Sequence, residues 1–221
     1  MADEKIRVLI VDDIAETREN IRKLLQFDAD VEVVGAARTG SEGIQLALET
    51  EPDVVLMDIN MPGIGGLEAT RKLLQRKPQL KIIVVTMHDD DLFPQRFLKA
   101  GALGYITKGA KVEEMLQAIR TVMANKRYLS PAIAQQIALG QVGEEVTSPF
   151  DNLSERELQV LLMMMDGQSI GAISETLCLS PKTVSTYRTR LYAKLGVQND
   201  IELARLALLH GVVENTANIK I

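Results

Sequence analysis

Four short apolar runs, each running into a polar tip, constrain this chain more than any other feature. Val8-Leu9-Ile10-Val11 leads into Asp12-Asp13, and Val54-Val55-Leu56-Met57 into Asp58. Ile82-Ile83-Val84-Val85 ends at Thr86, and Gly104-Tyr105-Ile106-Thr107 at Lys108. Uninterrupted apolar runs of this length, separated by helical patterns, read as strands buried on both faces of a parallel sheet. With a further strand near 31–36, the first 125 residues alternate strand and helix five times. Strands fall near 7–11, 31–36, 54–58, 81–86 and 104–107, and helices near 15–27, 41–50, 67–77, 90–100 and 112–125. The helix at 15–27 sets Ile14, Ile21, Leu24 and Leu25 on one side, with Arg18, Glu19 and Lys23 outward. The class is α/β, a doubly wound five-stranded parallel sheet.

In such sheets ligands collect outside the carboxyl ends of the strands, so all the polar tips should meet in one crevice. Crowded carboxylates repel one another unless a divalent cation lies among them, and hard oxygen ligands suit Mg²⁺. A metal, a carboxylate nucleophile, a hydroxyl and an ammonium together describe a site that phosphorylates an aspartate. A lone Asp after a strand is usually a turn residue or helix cap. Turn chemistry, however, does not call for Lys108 after one strand and Thr86 after another. Pro62 stiffens the start of the loop after Asp58, and Gly63, Gly65 and Gly66 loosen the rest.

The rest of the chain changes character. Ser130-Pro131 begins a short helix near 129–139, and the stretch from Gly140 to Pro149 lacks an apolar period and reads as linker. Residues 126–150 are thus set apart from a wholly helical domain at 151–221. There Ser154-Glu155-Arg156-Glu157 is a capping box, followed on the inner side by Leu158, Val160, Leu161 and Leu162. A second helix spans about 169–176, Ser180-Pro181 starts a third that reaches Leu195, and a fourth runs over 200–210. Two helices joined by a tight turn, the second carrying basic residues, form a helix-turn-helix.

Charge is informative only locally. The net charge of the chain is −5, and residues 151–221 carry seven Lys/Arg against eight Asp/Glu. Between Glu175 and Asp200, however, lie Lys182, Arg188, Arg190 and Lys194 with no acid among them. On the third helix Val184, Tyr187, Leu191 and Leu195 should face the core. Lys182, Ser185, Thr186 and Thr189 are expected toward the groove of a DNA duplex, with Arg188, Arg190 and Lys194 on its phosphates and Thr183 among the DNA-binding residues. Leu203, Leu206, Ala207, Leu208 and Leu209 of the final helix complete the core or pair two protomers. The one cysteine, Cys178, excludes an internal disulfide and, within the helical pattern of Ile173 to Leu179, is expected as a small buried hydrophobe. No apolar stretch approaches the ~18 residues of a membrane span, and the start carries no signal-peptide pattern, so a cytoplasmic protein without membrane contact is expected.

Residues 1–125 resemble the receiver domain of a bacterial two-component response regulator. Residues 151–215 resemble the LuxR/FixJ-type DNA-binding domain through Leu153 to Glu157, Ile170 to Leu179 and Ser180-Pro181-Lys182-Thr183-Val184. The pairing is that of the NarL/FixJ class. Met61 to Arg71, Thr107-Lys108-Gly109 and Ser148 to Glu157 are similar to its GacA/UvrY/SirA branch. The resemblance implies the strand order 2-1-3-4-5, which is the order of receiver-type relatives in general. It makes Asp58 the phosphoacceptor, with Mg²⁺ on Asp13, Asp58 and the backbone carbonyl of Asn60, and Asp12 acting through water. Lys108 and Thr86 would contact the phosphoryl group, and Tyr105 would follow Thr86 in the switch. Asn60 and His88 would tune hydrolysis of the acyl phosphate. Ile14 departs from the histidine that often follows the aspartate pair, which bears on site hydration or kinase docking. The implied partners are a sensor histidine kinase, double-stranded promoter DNA and a second copy of the chain. Beyond metal-dependent self-phosphorylation and self-dephosphorylation, no enzyme activity is implied. The alternatives are a regulator that binds DNA without phosphorylation, a metal-dependent phosphatase, and a receiver whose helical domain docks proteins.

Overall fold

The computed structural model describes residues 5–59, 61, 63–86, 94–142 and 149–209. The N-terminal four residues, Asn60, Pro62, His88, most of the 140–149 stretch and the 215–221 tail lie outside them. The chain divides into two compact units, Met1–Val142 and Gly143–Ile221.

In the first unit, strands and helices alternate: β1 (Ile6–Val11), α1 (Ala15–Leu25), β2 (Val31–Ala37), α2 (Gly40–Thr50), β3 (Val54–Asp58), α3 (Gly66–Arg76), β4 (Lys81–Thr86), α4 (Pro94–Ala100), β5 (Gly104–Thr107) and α5 (Val112–Met123). All pairings are parallel, and the sheet order is β2-β1-β3-β4-β5-β6. The sixth strand, β6 (Tyr128–Leu129), was not expected; at two residues it is too short to leave an apolar run in the sequence. It pairs with β5 at Gly104 and Tyr105, and is followed by α6 (Pro131–Val142).

Alternation along the strands divides the core between the two sheet faces. Val8, Ile10, Val54, Leu56, Ile83 and Val85 meet Ile21 and Leu25 of α1 and Met115, Ile119 and Val122 of α5. Leu9, Val11, Val55, Met57 and Ile82 meet Ile44 and Ala47 of α2 and Ala69 and Leu73 of α3. Both faces are covered, which is why these runs show no polar alternation. Burying each such side chain stabilises the fold by ~1.5–3 kcal/mol. A third cluster lies toward the β5 edge, where Tyr105 is fully buried with Phe97 of α4 and Ile133 of α6. The short helix expected inside the linker thus packs on the first unit, through Ile133 and the partly buried Ile137.

The second unit opens with a 3₁₀ turn at Pro149–Asn152 and holds α7 (Glu155–Met165), α8 (Ile170–Thr176), α9 (Pro181–Leu195) and α10 (Asp200–Leu209). Three of these helices begin on a serine. Ser154 closes the capping box with Glu157, Ser169 accepts from the Ala172 N–H, and Ser180 accepts from the Thr183 N–H ahead of Pro181. Val160, Leu161, Ile173, Val184, Leu191, Leu203 and Ala207 are buried. Cys178 is exposed, contrary to the expectation of a buried hydrophobe. The residue adopts φ +53°, with Cys178 N–H donating to Glu175 O and Leu179 N–H to Ser174 O. That is the left-handed stop that ends a helix, and it turns the side chain off the apolar face. Among the described residues, no helix is long and apolar enough to cross a membrane.

Candidate functional site

At the carboxyl end of the sheet, β1 delivers Asp12 and Asp13, β3 delivers Asp58, β4 ends on Thr86, and Lys108 follows β5. One oxygen from each of Asp12, Asp13 and Asp58 lies within 4.8 Å of the others, with Asp12 and Asp58 buried and Asp13 exposed. The Lys108 Nζ reaches into this group, 2.6 Å from Asp12 Oδ2 and 2.9 Å from Asp58 Oδ2. Its side chain is 6% exposed, so the ammonium is held nearly out of water. The Lys108 backbone N–H donates to Thr86 O, which ties the β4 and β5 tips together. Thr86 itself is buried.

Three carboxylates and one ammonium leave acid in excess, and burial adds its own penalty on charge. Burial pushes the Asp58 carboxyl up to about 7; Lys108 pulls against it, and Asp12 adds to it. Burial also raises Asp13, reinforced by the neighbouring Asp12 charge. For Lys108, burial works downward, but the hydrogen bond to Asp12 and the contacts with Asp58 outweigh it and hold the ammonium above its usual range. A hard divalent cation would offset this excess, and an all-oxygen donor set fits one.

Two residues prove more important here than their sequence context indicated. A side-chain carbon on Gly66 would lie 2.0 Å from the Asp58 carbonyl oxygen. Glycine is therefore required for α3 to start directly against the end of β3, and the Gly66 N–H donates to Ile59 O at 3.0 Å. Far from loosening the loop, Gly66 is a packing requirement. Arg18, expected outward, is half-buried and donates from its guanidinium to the Asp12 carbonyl oxygen at 2.7 Å. Ile14 is 43% exposed instead of joining the α1 core, because it occupies the N-cap position, before the helical periodicity starts. Asn60 and His88 lie outside the described residues. Tyr105 is fully buried and meets Phe97 edge-on, with ring centroids 6.0 Å apart.

On α9, Lys182, Ser185, Thr186, Thr189 and Arg190 are exposed and Thr183 is half-buried. Val184, Leu191 and Leu195 are buried, whereas Tyr187 is only half so, with the Arg190 guanidinium 6.0 Å from its ring centroid. Arg188 and Lys194 have partners inside the domain. Arg188 is bonded to Tyr192 and Asp200, and Lys194 to Glu157 and the Asn152 carbonyl. Their acidic partners are 12 and 37 residues distant in sequence, so no local spacing could reveal them.

The chain matches the model of the response regulator receiver domain over residues 8–120 and that of the bacterial regulatory proteins of the luxR family over residues 151–207. It is 54% identical over 213 residues to the response regulator GacA of Pseudomonas viridiflava, covering 96% of this chain and 100% of that protein. It is 48% identical to the response regulator UvrY of Escherichia coli strain K12, covering 94% of this chain and 95% of that one. Among solved structures it is similar to RcsB of Salmonella enterica serovar Typhimurium bound to promoter rprA in the presence of the phosphomimetic BeF₃⁻. That likeness has a TM-score of 0.65 at 25% identity and covers 92% of this chain and 98% of that one.

Proposed function

This chain belongs to the response regulators, as a transcription factor that joins a receiver domain to a LuxR-type DNA-binding domain, and from that premise we propose that phosphorylation of Asp58 controls its dimerisation and its binding to promoter DNA. The phosphoryl donor is a sensor histidine kinase. The protein acts in the cytoplasm, where promoter DNA is found. The proposed division is a receiver at 1–125, a connecting segment at 126–150 and a DNA-binding domain at 151–221.

The observation that carries the reading is the buried Asp58 carboxylate with Lys108 Nζ 2.9 Å away and Asp12 2.6 Å from the same ammonium. In the transfer an Asp58 oxygen attacks phosphorus, the bond from phosphorus to the donor breaks, and an acyl phosphate forms. Mg²⁺ held by Asp13, Asp58 and the Asn60 carbonyl, with Asp12 acting through water, would neutralise charge on the phosphoryl oxygens. Lys108 is already placed as a point charge, and once Asp58 carries phosphate it can pair with a phosphoryl oxygen in place of the carboxylate. The Thr86 hydroxyl donates to the same group and draws its loop inward. Tyr105 then changes its packing against Phe97 and Ile133, which converts a local charge event into a change at the β5 edge. On α9 the exposed Lys182, Ser185, Thr186, Thr189 and Arg190 face DNA, with Thr183 beside them, and α10 offers the exposed Ile201, Leu208 and Leu209 to a second copy.

Intact-mass measurement after treatment with a small acyl-phosphate donor and Mg²⁺ tests the phosphoacceptor. The wild type should gain one phosphoryl group and Asp58→Asn none. Equal labelling of both would overturn the assignment.

A further inference from the structure

Two of the four basic residues on α9 are committed to neighbours inside the domain. Toward α7, Lys194 Nζ donates to Glu157 Oε2 at 2.7 Å and to the Asn152 carbonyl at 3.2 Å. The Glu157 side chain is 3% exposed, and the same oxygen accepts from the N–H and the hydroxyl of Ser154 at 2.7 and 2.8 Å. Withdrawing Lys194 would leave a buried carboxylate without its counter-charge.

Toward α10, an Arg188 guanidinium nitrogen donates to Asp200 Oδ2 at 2.7 Å and Nε donates to the Tyr192 hydroxyl at 2.7 Å. The Tyr192 hydroxyl in turn donates to the other Asp200 oxygen, closing a ring of three side chains. The guanidinium lies 5.5 Å from the Tyr192 ring centroid. Asp200 opens α10, where the helix dipole favours a carboxylate. Helical spacing puts Arg188 on the stripe of Val184, Leu191 and Leu195, away from Ser185, Thr186 and Thr189. Among the described residues, Lys182 and Arg190 make no ion pair.

We propose that Arg188 and Lys194 are positioning residues that fix the recognition helix to α10 and α7, leaving the phosphate contacts of α9 to Lys182 and Arg190. The inference rests on the DNA-binding reading above. It assigns Tyr192 and Asp200 to the function as well, since they set the angle at which α9 meets the groove.

Salt dependence separates the two roles, because removing one phosphate-binding cation makes the slope of log affinity against log salt shallower by about 0.9. The full-length chain is titrated into a labelled random-sequence duplex over a NaCl series, at a temperature where circular dichroism shows every variant folded. Lys182→Gln is the reference and should flatten the slope by that amount. Arg188→Lys keeps the charge but cannot bridge Tyr192 and Asp200 with a planar fork. Arg188→Lys, Tyr192→Phe and Lys194→Gln should each weaken binding several-fold on the wild-type slope. The inference is overturned if Lys194→Gln flattens the slope as Lys182→Gln does, or if Arg188→Lys binds like wild type. Wild-type binding that does not weaken with salt would instead overturn the DNA-binding reading, and this inference with it.

Discussion

The strand-end pocket and the recognition helix use their charges in opposite ways. In the pocket one lysine serves two buried carboxylates with a third beside them, so acid is in excess, and burial pushes Asp58 up to about 7. On the recognition helix Arg188 and Lys194 each meet an acid from a neighbouring helix, and Glu157 is held below the usual carboxylate range. There burial pushes Glu157 up, but Lys194 and the hydrogen bonds from Ser154 outweigh it. The first arrangement keeps acid in excess, as the proposed uptake of a cation and a phosphoryl group requires. The second is satisfied. A switch needs the former, and a surface that must present fixed groups to a groove needs the latter.

The largest expected effect comes from breaking the pocket. Lys108→Ala leaves Asp12 and Asp58 buried without their ammonium, and removing one partner of a buried pair typically costs ~3–5 kcal/mol. Melting of the first unit should fall accordingly in metal-free buffer at pH 8, and labelling by the acyl-phosphate donor should be abolished. Divalent cation should restore much of the stability and little of the labelling.

The pH dependence of the two regions should have opposite sign. The Asp58 carboxyl titrates higher in the folded chain than in the unfolded one, where it lies near 3.8. Its favourable contribution is therefore complete below pH 3.8 and is lost as pH rises through about 7. In chelator, the first unit should lose on the order of a few kcal/mol between pH 5 and 8, and Asp58→Asn should flatten that decline. With ionised Asp58 as a proposed metal ligand, Mg²⁺ affinity should rise over the same window. Glu157 is lowered, so its contribution is present above 4.5 and is lost as pH falls through its folded value. Denaturant titration of each unit at a series of pH values reads both trends.

A smaller effect is expected at the capping box of α7. Glu157→Gln keeps the shape of the capping box but weakens its acceptor and releases Lys194, which should cost about 1 kcal/mol of second-unit stability. By freeing a cation beside the recognition helix, it should also steepen the salt dependence of DNA binding, by at most one phosphate contact.

The sheet and the meeting of Asp12, Asp58, Thr86 and Lys108 were legible in the sequence because both follow from one rule. Apolar runs buried on two faces give parallel strands, and parallel strands bring their carboxyl ends to one edge. What escaped depends on the path of the chain in space. Gly66 looked like a loosening residue because the closeness that would put a Cβ 2.0 Å from the Asp58 carbonyl oxygen exists only once α3 is folded against β3. Arg18 turns back along α1 to the Asp12 carbonyl, which helical periodicity alone assigns to solvent. Cys178 continued an apolar pattern, but α8 stops two residues before it in a left-handed turn. The segment after Asn125 read as linker because β6 is too short for a strand signal and, among the described residues, α6 contributes Ile133 and Ile137 to the core. Arg188 and Lys194 read as a basic stripe because the acids that bind them come from other helices.

If phosphorylation in the pocket controls the recognition helix, DNA binding by wild type and Asp58→Ala, each with Mg²⁺, with and without the phosphodonor, across a salt series, will differ. Only the wild type should gain affinity on phosphorylation, and both proteins should bind less tightly as salt rises. Equal affinity of the two proteins under phosphorylating conditions would contradict that control, leaving a DNA-binding protein whose aspartate pocket does not act as its switch.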